Sequence, residues 1–149
     1  MIYFIIVTSV ILGDTILKEY FKSTFQGKHR EEYHEKVAKI ELLENKGAAS
    51  GILSNHPKIL KGISAIMLCF CALALGRDRQ KGKITLAGIG YALLLGGGIG
   101  NFIDRLRKGT VTDYIRFPKF PIKRIRNLVF NVSDFSIFAG VFCLLFRRK

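Results

Sequence analysis

The sequence predicts a mainly α-helical membrane protein with four transmembrane helices, and three observations carry that reading. Four apolar runs, at about residues 1–17, 59–76, 84–103 and 128–146, divide a chain of 149 residues. Hydrophobic residues make up 49% of it, yet 24 Lys and Arg stand against 11 Asp and Glu, a net charge of +13. A chain both oily and strongly basic keeps its apolar and charged residues in separate blocks, with its basic loops at an anionic lipid surface. Cys69, Cys71 and Cys143 all fall inside apolar runs, where neither a disulfide framework nor a zinc site is expected. The charge is that of a nucleic-acid binder, but the hydropathy is not, and no helix-turn-helix or RNA-stacking module is present. No nucleic-acid partner is expected, and a soluble enzyme is disfavoured.

Crossing the hydrocarbon takes about 20 helical residues, with about 17 as the lower limit. Run 1–17 has no basic stretch before it and no small-residue cleavage site before Asp14, so it reads as a retained anchor. The loop 18–58 is long and charged; its GKHREEYHEK stretch (27–36) reads as a solvated charge run. Beyond it Ala38, Ile40 and Leu42 alternate with Lys39 and Glu41, the pattern of a short half-buried strand. The second run reaches spanning length when Ile59 and Leu60 join it, and 77–83 (RDRQKGK) is a basic hairpin leading to the third. The loop 104–127 carries eight Lys and Arg and a β-rich GTVTDYIRF stretch; the fourth run ends in RRK. The whole chain reads as one integral membrane domain.

Charge does not orient it. The 77–83 loop and the C-terminus hold 7 Lys and Arg, whereas 18–61 and 104–127 hold 17. Density over short loops places 77–83 inside, and raw counts say the opposite.

Ionisable residues inside apolar runs are costly and mark function. Asp14 lies near the end of the first run, and Asp134 lies within the fourth, three positions after Asn131. On a helix those two share a face, so the amide can steady the carboxyl group. If GTVTDYIRF is extended, Asp113 points the same way as Val111, Ile115 and Phe117. The plain alternatives are a helix-gluing polar residue for Asp134 and a turn aspartate for Asp113. Two carboxylates brought together do not both ionise cheaply, so one keeps a proton, and the pair acts as general base and general acid on one water. That chemistry needs no metal or cofactor. Other chemistries lack parts: His29, His34 and His56 show no HExxH spacing, GAASG with Ser50 is not a nucleophile elbow, and GGGIG within a span reads as a close-packing device.

Taken in order, four blocks resemble the signal peptidase II family, the bacterial prolipoprotein signal peptidases. They are D-x-x-x-K at Asp14 and Lys18, N-x-GAA from Asn45, GGGIGNFIDRLRKGTVTDYI over 96–115, and FNVSDFSI over 130–137. The resemblance implies an aspartic endopeptidase of the bacterial cell membrane with both termini cytoplasmic and its site toward the outer face. Asp113 and Asp134 are then the catalytic pair. A small extracytoplasmic β-cradle and a short helix in the outer loops accompany the four spans. The substrate is a prolipoprotein whose cysteine carries diacylglyceryl, cut just before that cysteine.

By the same resemblance Asn45 and Arg105 contact substrate, while Asn101, Asp104 and Arg105 crosslink the end of the third helix. Asn131 orients Asp134, and Asp14 and Lys18 form an i,i+4 pair, either an interfacial anchor or part of the active site. A monomer is expected, with anionic lipids gathered by outer loops of net charge about +9, counted as 17 basic less 8 acidic residues. Ser50, Thr15, Ser133 and Phe135 depart from the family's usual Phe, Gln, Ala and Ser. The rival reading is a divergent or non-catalytic relative that binds lipoprotein precursors or another membrane partner.

Overall fold

The computed structural model describes residues 1–25, 38–48 and 52–147; Ser50 and the charged stretch 27–36 lie outside them. Five helices and three strands follow in order: α1 (Ile2–Phe25), β1 (Lys39–Asn45), α2 (Pro57–Arg79), α3 (Leu86–Lys108), β2 (Val111–Arg116), α4 (Lys123–Arg126), β3 (Val129–Phe130) and α5 (Val132–Leu145). By length and composition α2 and α3 are apolar enough to cross a membrane. α1 is as long but carries Asp14, Lys18, Glu19 and Lys22 along its second half.

The helices start and stop where local chemistry dictates. Pro57 opens α2, where its missing N–H costs nothing. Thr85 caps α3 by accepting from the Gly88 N–H, and Gly109 ends it at φ 77°, a left-handed conformation that suits glycine. α3 runs five residues past its expected end, so Asp104 and Arg105 stand on a helix rather than in a loop. α1 and α2 likewise absorb residues 18–25 and 77–79 from the expected loops.

The fourth run departs most from expectation. Residues 128–146 are not one helix: Val129 and Phe130 form a strand against Arg116 and Ile115, and the helix begins only after Asn131. A β-branched residue and an aromatic pair well across a sheet, and the Asn131 cap then starts the helix. The resulting α5 has 14 residues and is about 21 Å long.

α3 is the hub, packing against α1, α2 and α5. Its glycines make that possible. A Cβ at Gly96 would lie 2.8 Å from Val10 of α1, and one at Gly98 2.8 Å from Leu68 of α2. One at Gly97 would collide with the Ser133 backbone of α5. Far from the sheet, Tyr3 donates to Asp78 (3.4 Å) and accepts from the Thr85 N–H (2.9 Å), tying the first turn of α1 to the α2–α3 connection.

The sheet is antiparallel in the order β1-β2-β3. Ile40 faces Ile115 but Leu43 faces Asp113, so β1 spends one extra residue there, a bulge that breaks the expected alternation. The bulge puts Leu43 opposite Asp113 and Asn45 on the neighbouring diagonal of the same face.

Polarity is inverted relative to a soluble domain. Asp14, Lys18, Asn101, Asp113, Asn131 and Ser133 are all 5% exposed or less, whereas Phe4, Ile16, Ile66, Phe70, Phe142 and Leu145 are all 60% exposed or more. An apolar surface of that extent is a lipid-facing one.

Gly97→Val should lower stability by about 2 kcal/mol or more, because the added atoms meet backbone rather than a flexible side chain. Gly13→Ala, whose Cβ meets open space on α1, should raise it by up to about 1 kcal/mol. Thermal unfolding of detergent-purified variants measures both.

Candidate active site

Asp134 occupies the third position of α5, not its interior. Its backbone N–H donates to the Asn131 side-chain oxygen (2.9 Å), and its carboxylate accepts from the Asn131 backbone N–H (3.1 Å), a reciprocal capping box. Asn131 therefore steadies Asp134 through the backbone, which leaves the Asn131 amide free to work elsewhere. That amide donates 2.7 Å to Asp113 Oδ1 and 3.1 Å to Asn101 Oδ1. Asn131 thus joins the two aspartates directly.

The remaining partners complete a closed network. Asn101 Nδ2 donates to Asp134 Oδ1 (2.9 Å), and Asn45 Nδ2 donates to Asp113 Oδ2 (3.0 Å). Each carboxylate thus has both oxygens engaged by N–H donors. Lys18 Nζ sits behind Asn101, donating to its oxygen (3.1 Å) and lying 2.5 Å from Asp14 and 3.0 Å from Asp104. Asp104 also accepts from the Thr112 N–H (3.4 Å), linking α3 to β2. Arg105 donates to the Gly47 carbonyl (3.0 Å), and Asn45 Oδ1 accepts from the Gly47 N–H (3.0 Å), which pins the turn after β1. Arg105 Nε is buried and has no partner among the described residues.

All nine residues singled out in the sequence therefore lie in this one network. Asn45, which the resemblance assigns to substrate contact, donates its amide to Asp113. Asp14 and Lys18, expected as a pair, form one, and both side chains are buried.

Asp113 lies on β2 and is 2% exposed. Burial pushes its carboxyl up to about 7; the Asp134 charge adds to this, and hydrogen bonds from Asn45 and Asn131 oppose it. Burial also pushes neighbouring Tyr114 up to about 12, a neutral phenol whose oxygen accepts from the Val132 N–H (3.2 Å) while Phe21 stacks on its ring.

Both aspartates line a cavity of about 870 Å³. Asn45, Gly47, Arg105, Asp113 and Asp134 form its polar end, and Ile63, Met67, Leu68, Leu94, Ile137 and Phe138 its apolar one. Ile63, Met67 and Phe138 are also about half exposed, so the apolar end opens on the lipid-facing surface.

Sequence reasoning missed Ser133, whose hydroxyl donates 2.7 Å to Asp14 and whose N–H donates 3.2 Å to the same carboxylate. The N-x-x-D spacing of Asn131 and Asp134, itself a helix-start signature, was the available signal for the capping box. Phe135 joins a ring cluster with Phe117, Phe130 and Phe138, and Thr15 bonds its own helix at Ile11.

Comparison with known proteins gives the family. The family described as signal peptidase (SPase) II matches residues 6–148. The chain belongs to the signal peptidase II family. A lipoprotein signal peptidase of Halothermothrix orenii is 31% identical over 145 residues, covering 97% of this chain and 92% of that one. One from Streptococcus agalactiae is 30% identical, covering 95% and 87%. Two solved structures of bacterial membrane enzymes superpose with TM-scores of 0.81 and 0.77 at 28% and 27% identity. Each covers 96% of this chain, which spans 84% and 89% of theirs. Signal peptidase II membership makes the chain a peptidase of a bacterial membrane.

Ser133→Ala removes a buried hydrogen bond to a charged group and should cost about 2 kcal/mol. Thermal unfolding in detergent reads that loss, and the Asn131 bridge between the aspartates should survive it.

Proposed function

We propose that this chain is a membrane aspartic endopeptidase that removes signal peptides from diacylglyceryl-modified prolipoproteins, cutting before the lipidated cysteine. The observation that carries the reading is Asn131, a single side chain that caps the helix bearing Asp134 and donates to Asp113. A pair so joined, with Asp113 buried, shares one proton at neutral pH.

Asp134 is the charged member. It sits in the first turn of α5, where the helix dipole favours an anion. It takes a proton from water, which attacks the scissile carbonyl. Asp113, protonated, polarises that carbonyl and then gives its proton to the leaving amine. Arg105 Nε, buried without a partner among the described residues, is placed to bind a substrate oxygen at the polar end of the cavity. The apolar end receives the lipid-anchored segment sideways from the bilayer.

α1, α2, α3 and α5 are the four spans, with both termini cytoplasmic and the sheet and α4 at the outer face. The inverted polarity and the start of α5 at the sheet support this arrangement. The enzyme works as a monomer, a reading supported by a site whose nine residues come from one chain. The non-catalytic alternative is disfavoured by a complete carboxylate pair lining one cavity.

Purified protein should cleave a diacylglyceryl-modified precursor peptide, and Asp113→Asn or Asp134→Asn should each slow it about 10²–10⁴-fold. The double variant should lose little more, because the pair acts as a unit. Asp113 must hold its proton, so the rate should fall as pH rises through about 7. Full cleavage by either single variant, folding being intact, removes the reading.

A further inference from the structure

We propose that the loop between β2 and β3, residues 117–128, is a docking wedge that seats on anionic lipid headgroups at the rim of the cavity. It rests on the membrane reading above. The 20 residues between Asp113 and Asp134 hold five basic side chains and no acidic one. Two of the five are spent internally. Arg116 pairs with Glu41 (2.9 Å) and donates to the Arg126 carbonyl (2.7 Å). Arg126 clips the loop into shape, donating to the carbonyls of Phe120 (2.5 Å) and Pro121 (3.3 Å).

The clipped loop presents a mixed surface. Phe120 and Ile122 are 39% and 55% exposed, and they alternate with the exposed Lys119, Lys123 and Arg124. Those three cations form no ion pair among the described residues. A loop facing only water gains nothing from holding apolar side chains outward, whereas an interfacial segment pairs such side chains with cations that meet lipid phosphates.

Position supports the same occupant. Phe117, at the base of the loop, packs against Phe135 (6.1 Å) in the first turn of α5, and Phe135 packs against Phe138 (6.5 Å). Phe138 is 52% exposed on the apolar face of α5. The loop therefore continues the lipid-facing surface at the level where α5 begins. Arg124, Asn127 and Leu128 line the cavity, so the seat of the loop sets the position of its rim.

The chain has no tryptophan, so Phe120→Trp makes a single reporter. The full-length variant is reconstituted in phosphatidylcholine vesicles with or without phosphatidylglycerol, using lipids brominated at shallow or deep chain positions. The expected result is blue-shifted emission, quenched best by shallow bromine and more strongly in anionic vesicles. Adding Lys119→Gln and Lys123→Gln should abolish the anionic enhancement, since each cation near such a surface favours the seat about fivefold. Water-like emission in both vesicles overturns the proposal, as does equal quenching in both. A response only to added lipid-modified peptide also overturns it, making the loop a substrate surface. Phe142→Trp, on α5 and 60% exposed, separates the two readings. If deep bromine fails to quench it, α5 is not a span and the membrane reading itself fails.

Discussion

The structure depends on holding two carboxylates, Asp113 and Asp134, close together at one end of a cavity. A cation placed between them would favour the charged form of both. The protein uses amides instead. Asn45, Asn101 and Asn131 supply donors to Asp113 and Asp134, and Lys18, the one buried cation among the described residues, stands behind Asn101. Lys18 is flanked by Asp14 and Asp104, so its charge is already matched.

That arrangement also fixes which way each amide points. Lys18 offers only donors, so the Asn101 oxygen must face it and the nitrogen must face Asp134. The Asn131 oxygen is held by the N–H of Asp134, so its nitrogen must face Asp113 and Asn101. A protonated lysine and a helix N-terminus, neither able to reverse its polarity, thus set the donors around the pair. Exchanging the ends of either amide would oppose donor to donor and leave a carboxylate oxygen unpartnered, a costly outcome in a buried site.

Much of this was legible in the sequence. Hydropathy located α1, α2, α3 and most of α5, the Ala38–Leu42 alternation located β1, and aspartates inside apolar or β-forming runs located the network. The strand at Val129 and Phe130 was not legible, because a buried strand and the start of a spanning helix are equally apolar. The β1 bulge was hidden for a related reason: alternation reports which residues share a face, not where one strand gains a residue on its partner. Asn131 was read as a helix-face partner of Asp134. The N-x-x-D spacing supports that geometry and the capping box alike, and only the observed helix start decides between them. The Tyr3–Asp78 contact joins residues 75 apart, beyond the reach of any local pattern.

The short fourth helix follows from the same constraint. Asn131 can join Asp113 to Asp134 only if one aspartate is on a strand and the other at a helix N-terminus, with Asn131 at the junction. A continuous helix from residue 128 would carry the Asn131 backbone into the helical ladder, remove the capping box and withdraw β3 from the sheet that positions Asp113. α5 is therefore short because its start is dictated by the site, not by bilayer thickness. A helix of about 21 Å falls short of a hydrocarbon core of about 30 Å. The Phe117, Phe130, Phe135 and Phe138 rings extend the apolar surface of α5 into the sheet.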